Sequence, residues 1–320
     1  MRRLTSLTLT AAALLASACG GGSSDDPVPV RPLTLALDFT PNAVHAGIYT
    51  AVAEDLDRRH GIALKIRAPS ASSDSLKLLE SGRADLAVVD IQDLGLARER
   101  GADLVGVGAL VQRPLAAVIA RAGVRRPREL EGLRVGVTGL PSDEAVLRAV
   151  VEADGGRYER VRRVTIGFSA VPSLVAGKVD AVTAFFNAEG VALRERGFGT
   201  REFRLEEAGA PAYPELVLAT TRERLRELDG PLRATLAALR EGTEAAVDDP
   251  SVPVREIARA SDSRESLVRA QLEAIQPALR PPLRLDRAAL EGWADFATRF
   301  GILSRRPDVA RAFAFGLADG

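Results

Sequence analysis

Leu79-Glu80-Ser81-Gly82-Arg83-Ala84-Asp85 runs into the apolar stretch Leu86-Ala87-Val88, and 95 residues later Leu174-Val175-Ala176-Gly177-Lys178-Val179-Asp180 runs into Ala181-Val182. Each copy reads as a helix stopping at glycine, then a base and an acid, then a buried strand. Glycine suits the stop because it takes the left-handed conformation without a Cβ clash. One copy alone is only helix-stop grammar. Around both copies, however, strand-like and helix-like segments recur in the same order, and two similar α/β lobes are the economical reading.

Short β-branched runs predict strands over Leu33–Leu37, Ile62–Arg67, Leu86–Val89, Leu104–Leu110, Arg134–Val137, Val161–Ile166 and Ala181–Ala184. Helices fall between them, the pattern of an α/β fold with largely parallel sheets. The first helix is the clearest: Asn42 can cap it, Val44, Ile48, Val52 and Leu56 recur at helical spacing, and Gly61 can end it. Gln112-Arg113-Pro114 and Gly209-Ala210-Pro211-Ala212-Tyr213-Pro214 are proline-bearing crossings suited to stiff hinge strands. They divide the chain into one lobe of residues 32–112 and 215–320 and a second of residues 113–214. After Glu215 the sequence turns arginine-rich and helical, and is expected to cover the first lobe, with Trp293, Phe296 and Phe300 as the core stripe of a late helix.

The 320 residues are 46% hydrophobic and 27% charged, enough for two ordinary cores. Lys plus Arg and Asp plus Glu both total 43, so no broad basic field exists to draw nucleic acid. One cysteine and two histidines exclude a disulfide framework and a cysteine-rich zinc site. A bound metal would have to rest on carboxylates, and neither a metal nor a cofactor is expected.

Met1-Arg2-Arg3 opens onto an uncharged stretch from Leu4 to Ala18, too short to span a bilayer and shaped like an export signal. Leu15-Ala16-Ser17-Ala18-Cys19 resembles a bacterial lipoprotein signal, whose cysteine becomes the lipidated first residue. Residues 1–18 are accordingly read as a signal peptide, Cys19 as the lipidation site and residues 19–31, with Gly20-Gly21-Gly22-Ser23-Ser24, as a flexible tether.

Loops after the carboxyl ends of parallel strands carry ligand groups, because helix N-termini there offer free N–H groups. That rule selects Asp38, Phe39, Asn42, His45 and Tyr49 after the first strand, Ser72 after the second and Asp90 after the third. In the other lobe it selects Thr138 and Ser142, then Phe168, then Phe185, Asn187 and Glu189. Aromatic faces mixed with carboxyl and amide groups match a planar, amine-bearing heterocycle. Bland roles compete: Asn42 as a helix cap, Ser142 as a cap, Asp143 as a complement to the helix dipole, His45 and Tyr49 as a packing pair. No Gly-x-Ser-x-Gly or phosphate-loop motif occurs. A carboxylate-pair hydrolase on Asp38 and Glu189 stays conceivable, but a tether and two hinged lobes point to capture and delivery.

Asp38-Phe39-Thr40-Pro41-Asn42-Ala43-Val44-His45-Ala46-Gly47-Ile48-Tyr49 resembles the Asp-Trp-x-Pro-Asn-x-x-His-x-Gly-x-Tyr signature of substrate-binding proteins of ABC importers for thiamine pyrimidine precursors. Fungal pyrimidine synthases of the thiamine pathway are similar in the same stretch. Gly132-Leu133-Arg134-Val135-Gly136-Val137-Thr138-Gly139 and Phe186-Asn187-Ala188-Glu189 support the resemblance, which covers about residues 33 to 220. It implies a two-lobed periplasmic-binding-protein fold of the second type, with the ligand between hinged lobes. Asp38, Phe39, Asn42, His45 and Tyr49 would then form one wall, and Asn187 and Glu189 the other. The implied protein is a monomer, lipid-anchored on the outer face of the cytoplasmic membrane, that hands a small molecule to an ABC permease and its ATPase. Two departures stand out: Phe39 replaces the family tryptophan, and no cysteine follows position 19, although the fungal enzymes carry a cysteine-rich motif. Related proteins bind riboflavin, nitrate or alkylsulfonates, which are the alternative cargoes. The alternative from another class is a thiamine-pyrimidine pathway enzyme using Asp38, His45 and Glu189.

Overall fold

The computed structural model describes residues 30–71 and 74–318. The expected signal, Cys19 and nearly all of the tether lie outside the described residues, as does Ser72. Ten strands are described: β1 Arg31–Ala36, β2 Ile62–Arg67, β3 Leu86–Asp90, β4 Leu104–Ala109, β5 Ala116–Arg121, β6 Arg134–Val137, β7 Arg162–Thr165, β8 Ala181–Phe185, β9 Thr200–Arg204 and β10 Leu216–Thr221. They form two five-stranded sheets, ordered β2-β1-β3-β10-β4 and β7-β6-β8-β5-β9. In each sheet the first three strands run parallel, and the fourth is antiparallel to both its neighbours. The architecture is therefore two α/β lobes of one topology.

The repeated Gly-base-x-Asp stretch has one physical job in both lobes. Gly82 and Gly177 sit at φ of 68° and 69°, ending their helices in the left-handed region. The acid that follows then clips two strands together. Asp85 accepts from the Thr34 amide at 2.8 Å while its own amide donates to Thr34 O at 2.9 Å, tying β3 to β1. Asp180 accepts from the Arg134 amide at 3.0 Å and donates to Arg134 O at 2.8 Å, tying β8 to β6.

Three strands were not expected from sequence: β5, β9 and β10. The last is a correction of substance, because the arginine-rich helical region begins at Arg222 and not after Glu215. Leu216–Thr221 is instead the buried strand between β3 and β4. Its apolar part, Leu216–Ala219, is only four residues long, too short to show a period, so strand and helix look alike. Both antiparallel fourth strands are what the chain forms on crossing between the sheets, at residues 110–115 and 205–215. Each crossing starts by pairing with the strand that follows the other: Leu110 donates its amide to Leu216 O at 2.8 Å, and Leu205 donates to Ala116 O at 3.0 Å. One apolar cluster runs through this region from Val89 and Leu94 to Val118, Val135 and Leu147.

The helices after Arg222 cover the first sheet. The long helix Asp229–Asp248 crosses Ala46–Ala53 closely at Gly47 and Gly242. A side chain on Gly47 would meet Thr243 Oγ1 and lie 2.9 Å from its Cβ, and one on Gly242 would meet the Gly47 carbonyl. Trp293 and Phe296 are buried in the core, as the sequence stripe predicts, with Phe300 partly buried beside Phe296. The Trp293 indole donates to Gln92 Oε1 at 3.0 Å, fixing the helix Ile91–Glu99 from behind. Among the described residues no helix is long and apolar enough to cross a membrane.

Candidate functional site

A cavity of about 100 Å³ lies between the two sheets, at the carboxyl ends of their parallel strands. Asp38, Phe39, Asp90 and Asp93 line it from the first lobe, and Thr138, Leu140, Ser142, Asp143, Phe168, Phe185 and Glu189 from the second. The contacts between the lobes around it include one ring pair and two sets of hydrogen bonds. The Phe39 ring meets Phe168 edge-on, with centroids 4.4 Å apart at 69°. Ser142 donates to Asp93 from its hydroxyl at 2.9 Å and from its amide at 3.2 Å. Gln271, on the helix Glu265–Ile275, donates from Nε2 to Ala188 O at 3.3 Å.

The Asp38–Tyr49 stretch divides between a binding surface and the frame behind it. Asn42 caps the short turn Ala43–His45, its Oδ1 accepting from the Val44 amide at 3.1 Å and its Nδ2 donating to Thr40 O at 3.0 Å. The Asn42 amide donates into His45 Nδ1 at 3.2 Å, so the neutral ring carries its proton on Nε2 and donates it to Asp38 Oδ1 at 2.8 Å. His45 is fully buried, and both ring nitrogens are used. The pair therefore aims Asp38 into the cavity and leaves no imidazole nitrogen for proton transfer. Tyr49 packs, half-buried, on the first-lobe core, and burial pushes its hydroxyl up to about 12. Neither Asn42, His45 nor Tyr49 lines the cavity.

In the second lobe, Glu189 lies on the turn Phe186–Gly190 that follows β8, and it accepts from the Phe185 amide at 3.1 Å. Burial, with smaller contributions from the charges of Asp143 and Asp38, pushes its carboxyl up to about 7. Asn187, two residues earlier, is fully buried, does not line the cavity, and neither amide atom has a hydrogen-bond partner. Asp143 builds the wall: it accepts from the Thr138 amide and hydroxyl at 2.7 and 2.5 Å, the Gly139 amide at 3.1 Å and the Thr183 hydroxyl at 2.6 Å. It serves as the clamp of the 138–139 loop, a larger task than the helix-dipole role read from sequence.

At the cavity floor Asp90 caps the helix Ile91–Glu99 by accepting from the Gln92 amide at 2.7 Å. Behind it, Glu215 Oε2 accepts from the amides of Leu115 and Ala116 at 2.8 and 3.2 Å, joining one hinge crossing to the other. Its Oε1 meets no N–H or hydroxyl, and the Asp90 carboxyl is its acidic neighbour. Two carboxyls can share a hydrogen bond only if one is protonated. Burial first, then the charges of Glu215 and Asp93, raise Asp90 well above the usual carboxylate range, while burial brings Glu215 to about 7.

Sequence reasoning missed Asp93, Ser75, Leu140 and Thr183, which also line the cavity. Asp93 lies inside a helix, three residues beyond a strand end, where only the approach of the second lobe reveals it. The lining holds five carboxyl groups, from Asp38, Asp90, Asp93, Asp143 and Glu189, and no lysine, arginine or histidine among the described residues.

Residues 42–252 match the model of a family described as NMT1/THI5 like. The chain belongs to this family. A formylaminopyrimidine-binding protein of Halalkalibacterium halodurans is 32% identical over 78% of the chain and 77% of its own length. A 4-amino-5-hydroxymethyl-2-methylpyrimidine phosphate synthase of Uromyces fabae is 22% identical over 68% of the chain and 67% of its own. Among solved structures, the alkanesulfonate-binding protein of Xanthomonas axonopodis pv. citri bound to MOPS superposes with a TM-score of 0.72, at 19% identity, covering 89% of the chain and 98% of that protein. The fold is the two-lobed periplasmic-binding-protein architecture of the second type, with hinged lobes.

Proposed function

We propose that this family member is the receptor of an ABC importer, closing its lobes on a small, planar, amine-bearing heterocycle of the thiamine pyrimidine-precursor kind. The observation that carries the reading is the cavity lining, which pairs aromatic faces with five carboxyl groups and contains no cation. An amino or protonated ring nitrogen set between Asp38 of one lobe and Glu189 of the other would compensate their charge and join the lobes. The relative that is 32% identical is named for a formylaminopyrimidine, a ligand of that chemistry.

An alkylsulfonate or nitrate fits the fold of the sulfonate-binding neighbour but would set its anion among carboxylates, with no arginine to receive it. Turnover is disfavoured because His45 spends both ring nitrogens on the frame. In this reading residues 32–112 and 215–320 form one lobe and 113–214 the other. Cys19 carries the lipid anchor after removal of residues 1–18, and residues 19–31 hold the receptor off the outer face of the membrane, as a monomer beside its permease and ATPase.

A thermal-shift and calorimetry panel of formylaminopyrimidine, hydroxymethylpyrimidine, riboflavin, an alkylsulfonate and nitrate tests the reading. One of the two pyrimidines should bind without turnover and, at a hundredfold excess over Kd, stabilise the fold by about 2.7 kcal/mol. A response to sulfonate alone, or release of a converted product, overturns it.

A further inference from the structure

The helix Pro141–Ala153 begins without a cap of its own. Its N-cap residue is Leu140, whose side chain cannot accept a hydrogen bond, and its first turn therefore starts with orphan amides. Asp143, the acid best placed to turn back on that end, already accepts from Thr138, Gly139 and Thr183. The missing acceptor comes from the opposite lobe. Asp93, in the first turn of Ile91–Glu99, takes the Ser142 amide on Oδ1 and the Ser142 hydroxyl on Oδ2. Its own helix is capped by Asp90, so its carboxylate is free for this task. Both residues are buried, at 3% and 8% exposure. They ride on different sheets, and any hinge motion that opens the cleft pulls them apart.

We propose that Asp93 and Ser142 form a closure latch, in which the first lobe caps a helix of the second only when the cleft is shut. Both residues line the cavity, but the latch adds to the stability of the closed form alone, so it raises affinity for a guest over and above any contact either residue makes with it. Asp93 is thus a positioning residue. The inference needs the lobes to part and does not depend on which guest they hold.

The test is a double-mutant cycle of Asp93→Ala and Ser142→Ala in the full chain, titrated with formylaminopyrimidine, beside small-angle scattering of each protein without ligand. A lost cap is worth about fivefold to tenfold in an equilibrium constant. Asp93→Ala, which removes both bonds, should lose affinity by that factor; Ser142→Ala, which keeps the amide bond, should lose less, and the double variant no more than Asp93→Ala alone. Asp93→Asn, which keeps an acceptor, should recover part of the loss. Losses that multiply in the double variant would mean separate contacts to the guest and would overturn the latch, as would an unchanged Asp93→Ala. If the wild type ignores the pyrimidine, the ligand reading fails and scattering alone judges the latch: larger radii in the variants support it, and equal radii overturn it.

Discussion

At the scale of single residues, the site is a set of acids whose neighbours decide what each can do. Asp38 is aimed by His45, Asp143 is consumed by four donors, Asp90 is raised well above the usual carboxylate range by burial and by Glu215, and Glu189 accepts from the Phe185 amide. Replacing Glu189 by alanine should weaken pyrimidine binding by more than about 1 kcal/mol, since a buried amine loses its charged acceptor. Glu189→Gln should keep the Phe185 amide bonded and the unliganded melting temperature near wild type, yet still lose affinity. Calorimetric titration decides it: an unchanged Kd in both variants would reduce Glu189 to a brace for its own turn.

At the scale of elements, the signature Asp38–Tyr49 is more frame than wall. Its glycine exists for the crossing of Ala46–Ala53 with Asp229–Asp248, where backbone and Thr243 leave no room for a methyl group. Gly47→Ala should therefore cost about 1–3 kcal/mol or more by overpacking, read as a lower urea midpoint with the m-value unchanged. A midpoint equal to wild type would show that the two helices can separate freely. Asn42 as a cap was legible from its place before an apolar helix; its second task, setting the His45 tautomer through its amide, was not. That depends on a turn bringing residue 45 back onto residue 42.

At the scale of the molecule, burying acids without bases sets the pH response. Glu215, Glu189 and Asp93 are each brought to about 7 by burial, and Asp90 and Asp143 are raised as well. The unfolded chain releases these protons near pH 4, whereas the folded chain keeps them until about pH 7. Between those values the folded state binds more protons, so stability falls as pH climbs from about 4 to 7 and then levels. The carboxylates with lowered values, led by Asp154 at about 2, lose stability only on the acid side of that window. The melting temperature of the unliganded protein should be lower at pH 8 than at pH 5. Asp90→Asn substitutes a permanent N–H donor for the shared proton facing Glu215, Asp93 and Gln92, and should narrow that difference. A melting temperature that rises from pH 5 to pH 8 would refute this account.

The sequence by itself determined the two-lobe plan. Glycine stops, the acids after them and β-branched runs act over a few residues, and the chain writes them out twice. It also marked the loops at the strand ends, from which Asp38, Phe39, Asp90, Thr138, Ser142, Phe168, Phe185 and Glu189 reach the cavity. Only the tertiary structure decided that Leu216–Thr221 is a central strand, that Asn42, His45 and Tyr49 stand behind the wall, and that Asp93 meets Ser142 across the cleft. The reason is range: local propensity is fixed by neighbours in the chain, whereas burial, charge and closure depend on residues about fifty to one hundred and twenty positions apart, brought together only by folding.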